Sequence, residues 1–194
     1  MRKLIVLAVI IAGIVGVVHG QDPIKFRSTE WLGLSSGESG SAGQIQTVDG
    51  ISKGPWFVGL GAGVDFYRFR SVPLFLSVTR DLSLGKRDWL FLYFDGGINE
   101  PWYYRQISAV DTYTSSSFHS GGYYSGGIGY LWKLGANTSK AVLFTAGYTV
   151  KKLSEDQVGN ENMCPPLGPC QYDTQVVTYD YLCRAYQFMI GIRF

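Results

Sequence analysis

Between residues 56 and 69 the chain reads WFVGLGAGVDFYRF, and its chemistry changes at every step. Trp56, Val58, Leu60, Ala62, Val64 and Phe66 form one face, apolar along its whole length. Phe57, Gly59, Gly61, Gly63, Asp65 and Tyr67 form the other. Period-two alternation over this length predicts a strand whose two sides meet different surroundings. A half-buried strand of a soluble sheet turns polar side chains to water and seldom fills that face with glycine. In a narrow barrel, glycine inside leaves room for larger side chains from across the lumen. The pattern therefore predicts a barrel wall.

The same reading extends along the chain. In 74–84, Leu74, Leu76, Val78 and Leu82 alternate with Phe75, Ser77, Thr79 and Asp81. Leu90, Leu92 and Phe94 alternate with Phe91, Tyr93 and Asp95. Ile128, Tyr130, Trp132 and Leu134 alternate with Gly127, Gly129, Leu131 and Lys133. Val142, Phe144, Ala146, Tyr148 and Val150 alternate with Leu143, Thr145, Gly147, Thr149 and Lys151. In 182–194, Tyr186, Phe188, Ile190, Ile192 and Phe194 oppose Cys183, Ala185, Gln187, Met189, Gly191 and Arg193. Segments 25–34 and 42–51 hold β-formers with little clean alternation. They complete the even strand number that a closed bacterial barrel takes; the alternative is an arm before a six-stranded wall. The expected fold is all-β: a transmembrane, antiparallel, up-and-down barrel of about eight strands.

Connections alternate in length. Residues 49–55, 85–88 and 135–138 are short and turn-like, whereas 98–120 and 153–174 are long and polar. Outer-membrane barrels have short periplasmic turns, longer external loops and both termini inside, so the long segments belong outside. The connection at Arg70, Ser71, Val72 and Pro73 should also be external, yet it is very short. Aromatic girdles are expected at both interfaces. Trp56, Trp89, Tyr130 and Trp132 stand at the inner strand ends, and Tyr67, Tyr148 and Trp102 toward the outer ones.

The start of the chain has another character. Met1, Arg2 and Lys3 precede the uncharged run LIVLAVIIAGIVGVV, which ends at His19 and Gly20. This layout predicts a secretory leader over 1–20, cleaved after Gly20, with the barrel domain over 21–194. The alternative, an uncleaved anchor helix, needs roughly 20 apolar residues, more than this run supplies. No later stretch is apolar enough for a membrane helix, so membrane residence requires a closed barrel.

Composition agrees. Charged residues make up 16% and aromatic residues 15%, with 25 glycines. A soluble domain carries about 25% charged residues. The formal charge of +2 resides in Arg2 and Lys3: without them 15 basic residues face 15 acidic ones. No basic stripe remains to argue for nucleic acid.

Candidate chemistry is sparse. His119 is the one histidine beyond the leader, near Asp111, Ser115, Ser116 and Ser117. Their spacing matches no nucleophile–base–acid motif, and a solvated loop histidine is the expectation. Cys164 and Cys170 bracket CPPLGPC, a candidate disulfide for a chain exported to an oxidising compartment. Cys183 is left over on the inner face as a small filler. The inner faces carry Asp65, Asp81, Asp95, Lys133, Lys151 and Arg193, three charges of each sign. Charges facing a narrow interior should pair, which predicts a network plugging the lumen; a polar pore lining is the rival reading. No cofactor, metal site or enzyme activity is expected.

The leader, the alternating strands, the long external segments and the terminal Phe194 together resemble the OmpA/OmpX-like group of small outer-membrane β-barrels, over nearly the whole mature chain. The resemblance is architectural. It implies a porin-like or OmpA-like protein of the Gram-negative cell envelope, reaching the bacterial outer membrane through the periplasm. It also implies that Tyr186, Phe188, Ile190, Ile192 and Phe194 form the signal read by the barrel assembly machinery. Outer-membrane lipid is then a partner, and an extracellular ligand is expected at 98–120 and 153–174, where Trp102, Tyr103, Tyr104 and Tyr113 offer binding aromatics. A structural or surface-binding protein is the first reading, a narrow channel for small solutes the alternative, and a lipid-modifying enzyme the third.

Overall fold

The computed structural model describes residues 23–85, 88–102, 113–135, 140–163 and 171–194. The leader 1–20 and the proposed Cys164–Cys170 bridge lie outside them. So do Tyr103, Tyr104 and Asp111. Among the described residues there are nine strands and no helix. They are β1 (Lys25–Gly37), β2 (Gly40–Lys53), β3 (Trp56–Asp65), β4 (Ser71–Ser83), β5 (Asp88–Pro101), β6 (Tyr113–His119), β7 (Gly121–Lys133), β8 (Ala141–Met163) and β9 (Gln171–Arg193).

Every pairing is antiparallel, and β9 bonds both β8 and β1, which closes the sheet. Eight strands make the wall: β1 to β5 and β7 to β9. The N-terminal segments 25–34 and 42–51 lie within β1 and β2, so the wall has eight strands rather than six. A path at right angles to the strands runs Thr29, Val48, Gly61, Phe75, Gly97, Tyr123, Lys151, Cys183. It meets β9 ten residues before Arg193, the residue to which Thr29 is itself paired. That offset is the shear of the barrel, and with eight strands it tilts the wall by roughly 40°.

Alternation sorts the side chains as hydrophobic physics requires. Trp31, Phe57, Phe75, Phe91, Tyr93, Tyr123 and Leu143 are buried in the lumen. Glycines make room for them: a Cβ at Gly61 would fall on the Phe75 ring, at Gly129 on Phe91 and at Gly191 on Trp31. Leu60, Phe94, Ile128, Phe188 and Ile190 stand exposed on the outer face.

Turns and loops differ from the sequence expectation in instructive ways. Residues 49–53 belong to β2, and the turn shrinks to Gly54 and Pro55, where Gly54 takes a φ of 57°. The external connection after β3 is 66–70, because Ser71, Val72 and Pro73 already pair with β5. The described parts of the long external segments are largely strand. Ile98–Pro101 completes β5, residues 113–119 form β6, and 153–163 with 171–174 extend β8 and β9. Alternation could not reveal these extensions, since beyond the barrel rim both faces of a strand can meet water.

β6 continues β7 outward across Ser120. His119 pairs with Ser154 and Tyr123 with Lys151, a one-residue slip in the ladder. β6 and two wall strands thus form a sheet past the rim, in the order β6, β8, β9.

Candidate functional site

The lumen is built in layers. Near its outer end Lys151 Nζ lies 3.1 Å from Asp65 Oδ2, both side chains almost wholly buried. Lys151 also donates to the Phe69 carbonyl at 3.1 Å and to Ser71 Oγ at 3.3 Å. Asp65 Oδ1 accepts the Tyr67 backbone N–H at 2.7 Å. Tyr67 folds inward and donates its hydroxyl to the Arg184 carbonyl at 3.1 Å. The short connection 66–70 is therefore a lid stitched onto a buried ion pair.

At mid-height the contacts are neutral. Gln46 Nε2 donates to Tyr123 Oη at 3.1 Å, Ser35 to Gln44 Oε1 at 3.2 Å, and Ser125 to Gln187 Oε1 at 2.8 Å. Asp95 is buried there opposite Ser77. It borders a cavity of about 30 Å³ shared with Trp31, Gln46, Tyr93, Thr145 and Arg193. That is the volume of a water molecule or two. At the inner end Asp81 Oδ2 receives Arg27 Nη1 at 3.0 Å and Arg193 Nη1 at 3.3 Å.

Four of the six predicted lumen charges thus meet in two ion pairs at opposite ends: Asp65 with Lys151, Asp81 with Arg193. Lys133 is a correction. Being next to the inner mouth, its ammonium stays half-exposed and lies over the Trp89 ring, 4.4 Å from the centroid. Asp95 enters none of the ion pairs among the described residues, because its rung places it in the neutral layer. Arg27 was missed: the alternation of β1 was too weak to assign its inward face. Cys183 is buried beside Tyr67 and Ala185 as expected of a filler. Two girdle assignments also change, since Trp89 and Tyr67 occupy inward positions; Trp56, Tyr130, Trp132 and Tyr148 face outward.

Above the rim a second cluster forms. Phe69 packs on Tyr181 with centroids 4.9 Å apart and on Phe118 at 5.7 Å. The Arg68 guanidinium covers the Tyr181 ring at 4.9 Å. Arg68 itself holds a φ of 59°, which turns the lid connection tightly. Buried Glu155 accepts from Tyr181 Oη at 2.9 Å, Gln157 Nε2 at 3.1 Å and Ser116 Oγ. His119 Nε2 lies 2.8 Å from Asp156 Oδ2, whose other oxygen accepts the Thr178 hydroxyl at 2.7 Å. These contacts hold the Asp156 carboxyl below the usual carboxylate range, the Thr178 hydroxyl contributing most and His119 next. Ser116 donates to Glu155 and His119 meets Asp156, so the sequence neighbours Ser116 and His119 bond different carboxylates. The described residues bring no group of three or more His, Cys, Asp or Glu side chains together around a metal position.

A closed antiparallel cylinder with an apolar exterior and a filled polar interior defines the class: a membrane-spanning β-barrel. Comparison with known proteins agrees on the fold. No family profile and no curated protein sequence matches the chain. Among solved structures it is similar to the crystal structure of the outer membrane protein OprG from Pseudomonas aeruginosa, with a TM-score of 0.58 and 13% identity over 92% of this chain and 99% of that one. Neisserial surface protein A aligns with a TM-score of 0.49 and 14% identity, over 90% of this chain and 98% of that one.

Removing one member of the outer ion pair strands the other in the lumen. Lys151→Met should cost about 3–5 kcal/mol, whereas the double change Asp65→Asn with Lys151→Met should recover most of that loss. Urea unfolding in detergent micelles checks both. The Asp156 contacts predict a pH dependence of β6. Its attachment is complete above the ordinary carboxylate value of about 4 and weakens as pH falls through the lowered native value. Amide exchange in β6 should therefore accelerate at acid pH, and Asp156→Asn should remove that acid-dependent step.

Proposed function

We propose that the chain is a non-enzymatic, integral protein of the bacterial outer membrane that works through its outer sheet and does not conduct solutes. The observation that carries this reading is where the ordered chain lies beyond the barrel. β6 and the outer parts of β8 and β9 form a sheet above the rim, with Val176, Val177 and Tyr179 exposed on it. On that stretch β9 has lost its β1 neighbour, because β1 ends where Gly37 meets Ala185. Among the described residues no strand covers that edge, and an open edge beside exposed apolar side chains suits an extended segment of another protein, bound by strand addition. The lumen supports the non-conducting half of the reading. Two ion-pair layers bracket an interior packed with aromatic rings, and the cavity between them holds about 30 Å³.

Export through the periplasm after cleavage at Gly20, and recognition of the Tyr186–Phe194 pattern by the assembly machinery, complete the proposal. Outer-membrane lipid surrounds the wall. The extracellular ligand engages the sheet formed by the described parts of 98–120 and 153–174, and nucleic acid is no partner.

Planar-bilayer recording and a shortened variant test the reading together. The unaltered protein should give no stable conductance steps. A variant in which a four-residue turn replaces 156–177 should keep the heat-modifiable barrel band on gels. It should lose whatever protein crosslinks to the outer sheet on the native cell surface. Stable, large conductance in the unaltered protein, or undiminished crosslinking by the shortened one, would contradict it.

A further inference from the structure

Closing eight strands on a narrow bore leaves some inward polar atoms beyond the reach of any protein partner. Three of them border the small cavity at mid-height: Asp95 Oδ1, Tyr93 Oη and Thr145 Oγ1. Their side chains are 4%, 9% and 6% exposed, so bulk water does not serve them. None of the three atoms makes a hydrogen bond among the described residues. A buried polar group without a partner loses its solvation and gains nothing in return. Asp95 is the sharpest case, because it also joins no ion pair among those residues.

The ladder explains the arrangement. Asp95 lies on β5 between Ser77 of β4 and Ser125 of β7. The Ser125 hydroxyl already donates to Gln187 Oε1. Tyr93, the next inward residue of β5, pairs with Gly127 of β7, which pairs with Gly147 of β8. A Cβ on Gly147 would fall on the Tyr93 hydroxyl, so glycine there makes room for it. Thr145 is the neighbouring inward residue of β8. The carboxylate thus meets the cavity from the β5 wall, and both hydroxyls meet it at the β8 wall.

The chemistry of the lining selects the occupant. A cavity of about 30 Å³ has the volume that one water molecule takes in the liquid. Apolar cavities stay dry, whereas unpartnered polar atoms hold water by about three hydrogen bonds. The two hydroxyls can donate or accept, and an ionised carboxylate only accepts. Water, with two hydrogens and two lone pairs, matches such a set. A metal cation does not. Asp95 is the one carboxylate on the cavity wall, and Arg193 brings a positive charge to the same wall. The Arg193 Nε is itself a donor without a partner, which a water can serve and a cation cannot.

We propose that this cavity is a binding site for one ordered water molecule, which donates to Asp95 Oδ1 and accepts from the Tyr93 and Thr145 hydroxyls. The water supplies the partner that the register denies to Asp95. It also joins β5 to β8, which are not neighbours in the sheet. The lumen then has three cross-braces: an ion pair near each end and a hydrated carboxylate between them.

The test uses the mature chain refolded in detergent micelles. Val48 and Met189 border the cavity, and their methyl groups carry no exchangeable proton. In the unaltered protein they should show water cross-peaks whose NOE and ROE have opposite signs, the signature of a long-lived bound molecule. Thr145→Val removes one hydroxyl at nearly constant volume and should lower the folding equilibrium constant in urea about fivefold. In an Asp95→Leu background the same change should cost less than about twofold, because the shared water is already lost. Should the Asp95→Leu chain fail to fold, weakened methyl signals in Thr145→Val and in Tyr93→Phe take its place. Sodium, potassium and choline chloride at equal ionic strength should give the same urea midpoint. Methyl groups without a water signal, or fully additive losses, would overturn the shared water. NOE and ROE of like sign would mean freely exchanging solvent and overturn the single-molecule site. A midpoint raised by sodium alone would overturn it in favour of a cation.

Discussion

The structure depends on a backbone that must satisfy its hydrogen bonds within itself wherever hydrocarbon surrounds it. Lipid offers no donor or acceptor, so an open sheet edge there has no stable form. Pairing of β9 with both β1 and β8 removes the edge, and the ten-residue shear sets the bore. An eight-stranded cylinder of that kind has an interior that side chains can just fill. Everything inside follows from that dimension. Aromatic rings need glycine opposite them, and charged groups need partners within reach.

Closure by pairing also explains how the outer end differs from the inner one. At the inner end the described turns are tight, as at Gly54 and Pro55, and the lumen ends on Arg27, Asp81 and Arg193. At the outer end the strands do not stop together. β1 ends at Gly37 and β3 at Asp65, whereas β8 and β9 continue well beyond. The lid at 66–70 and the aromatic cluster of Phe69, Phe118 and Tyr181 sit in the step between short and long strands. Lys151 ties the two regions together, bonding Asp65 below and the Phe69 carbonyl above.

Much of this was legible in the chain, for a physical reason. A strand with lipid on one side and a packed lumen on the other must alternate, so 56–65, 74–82 and 141–150 announce themselves through their side chains. Asp65, Asp81, Lys151 and Arg193 could be placed inward because their strands alternate cleanly. Legibility failed where the two faces of a strand are alike. The outer parts of β8 and β9, and all of β6, read as polar loop although they are ordered sheet. It failed again on β1 and β2, where the outward Ser28, Glu30, Thr47 and Asp49 break the apolar face. That break hid the inward Arg27. Register, which decides that Lys133 reaches Trp89 and Asp95 lies in a neutral layer, comes from the ladder and not from local pattern.

The central claim is that one face of each wall strand meets hydrocarbon while the other is sealed in the lumen. Fluorescence quenching by lipids brominated on their acyl chains tests it most directly, using variants that retain a single tryptophan. Trp132 faces outward with 49% exposure, and Trp31 faces inward with 9%. The account predicts strong quenching of Trp132 and little of Trp31 in the refolded protein. Equal quenching of the two, or a folded monomer in buffer without lipid or detergent, would contradict it.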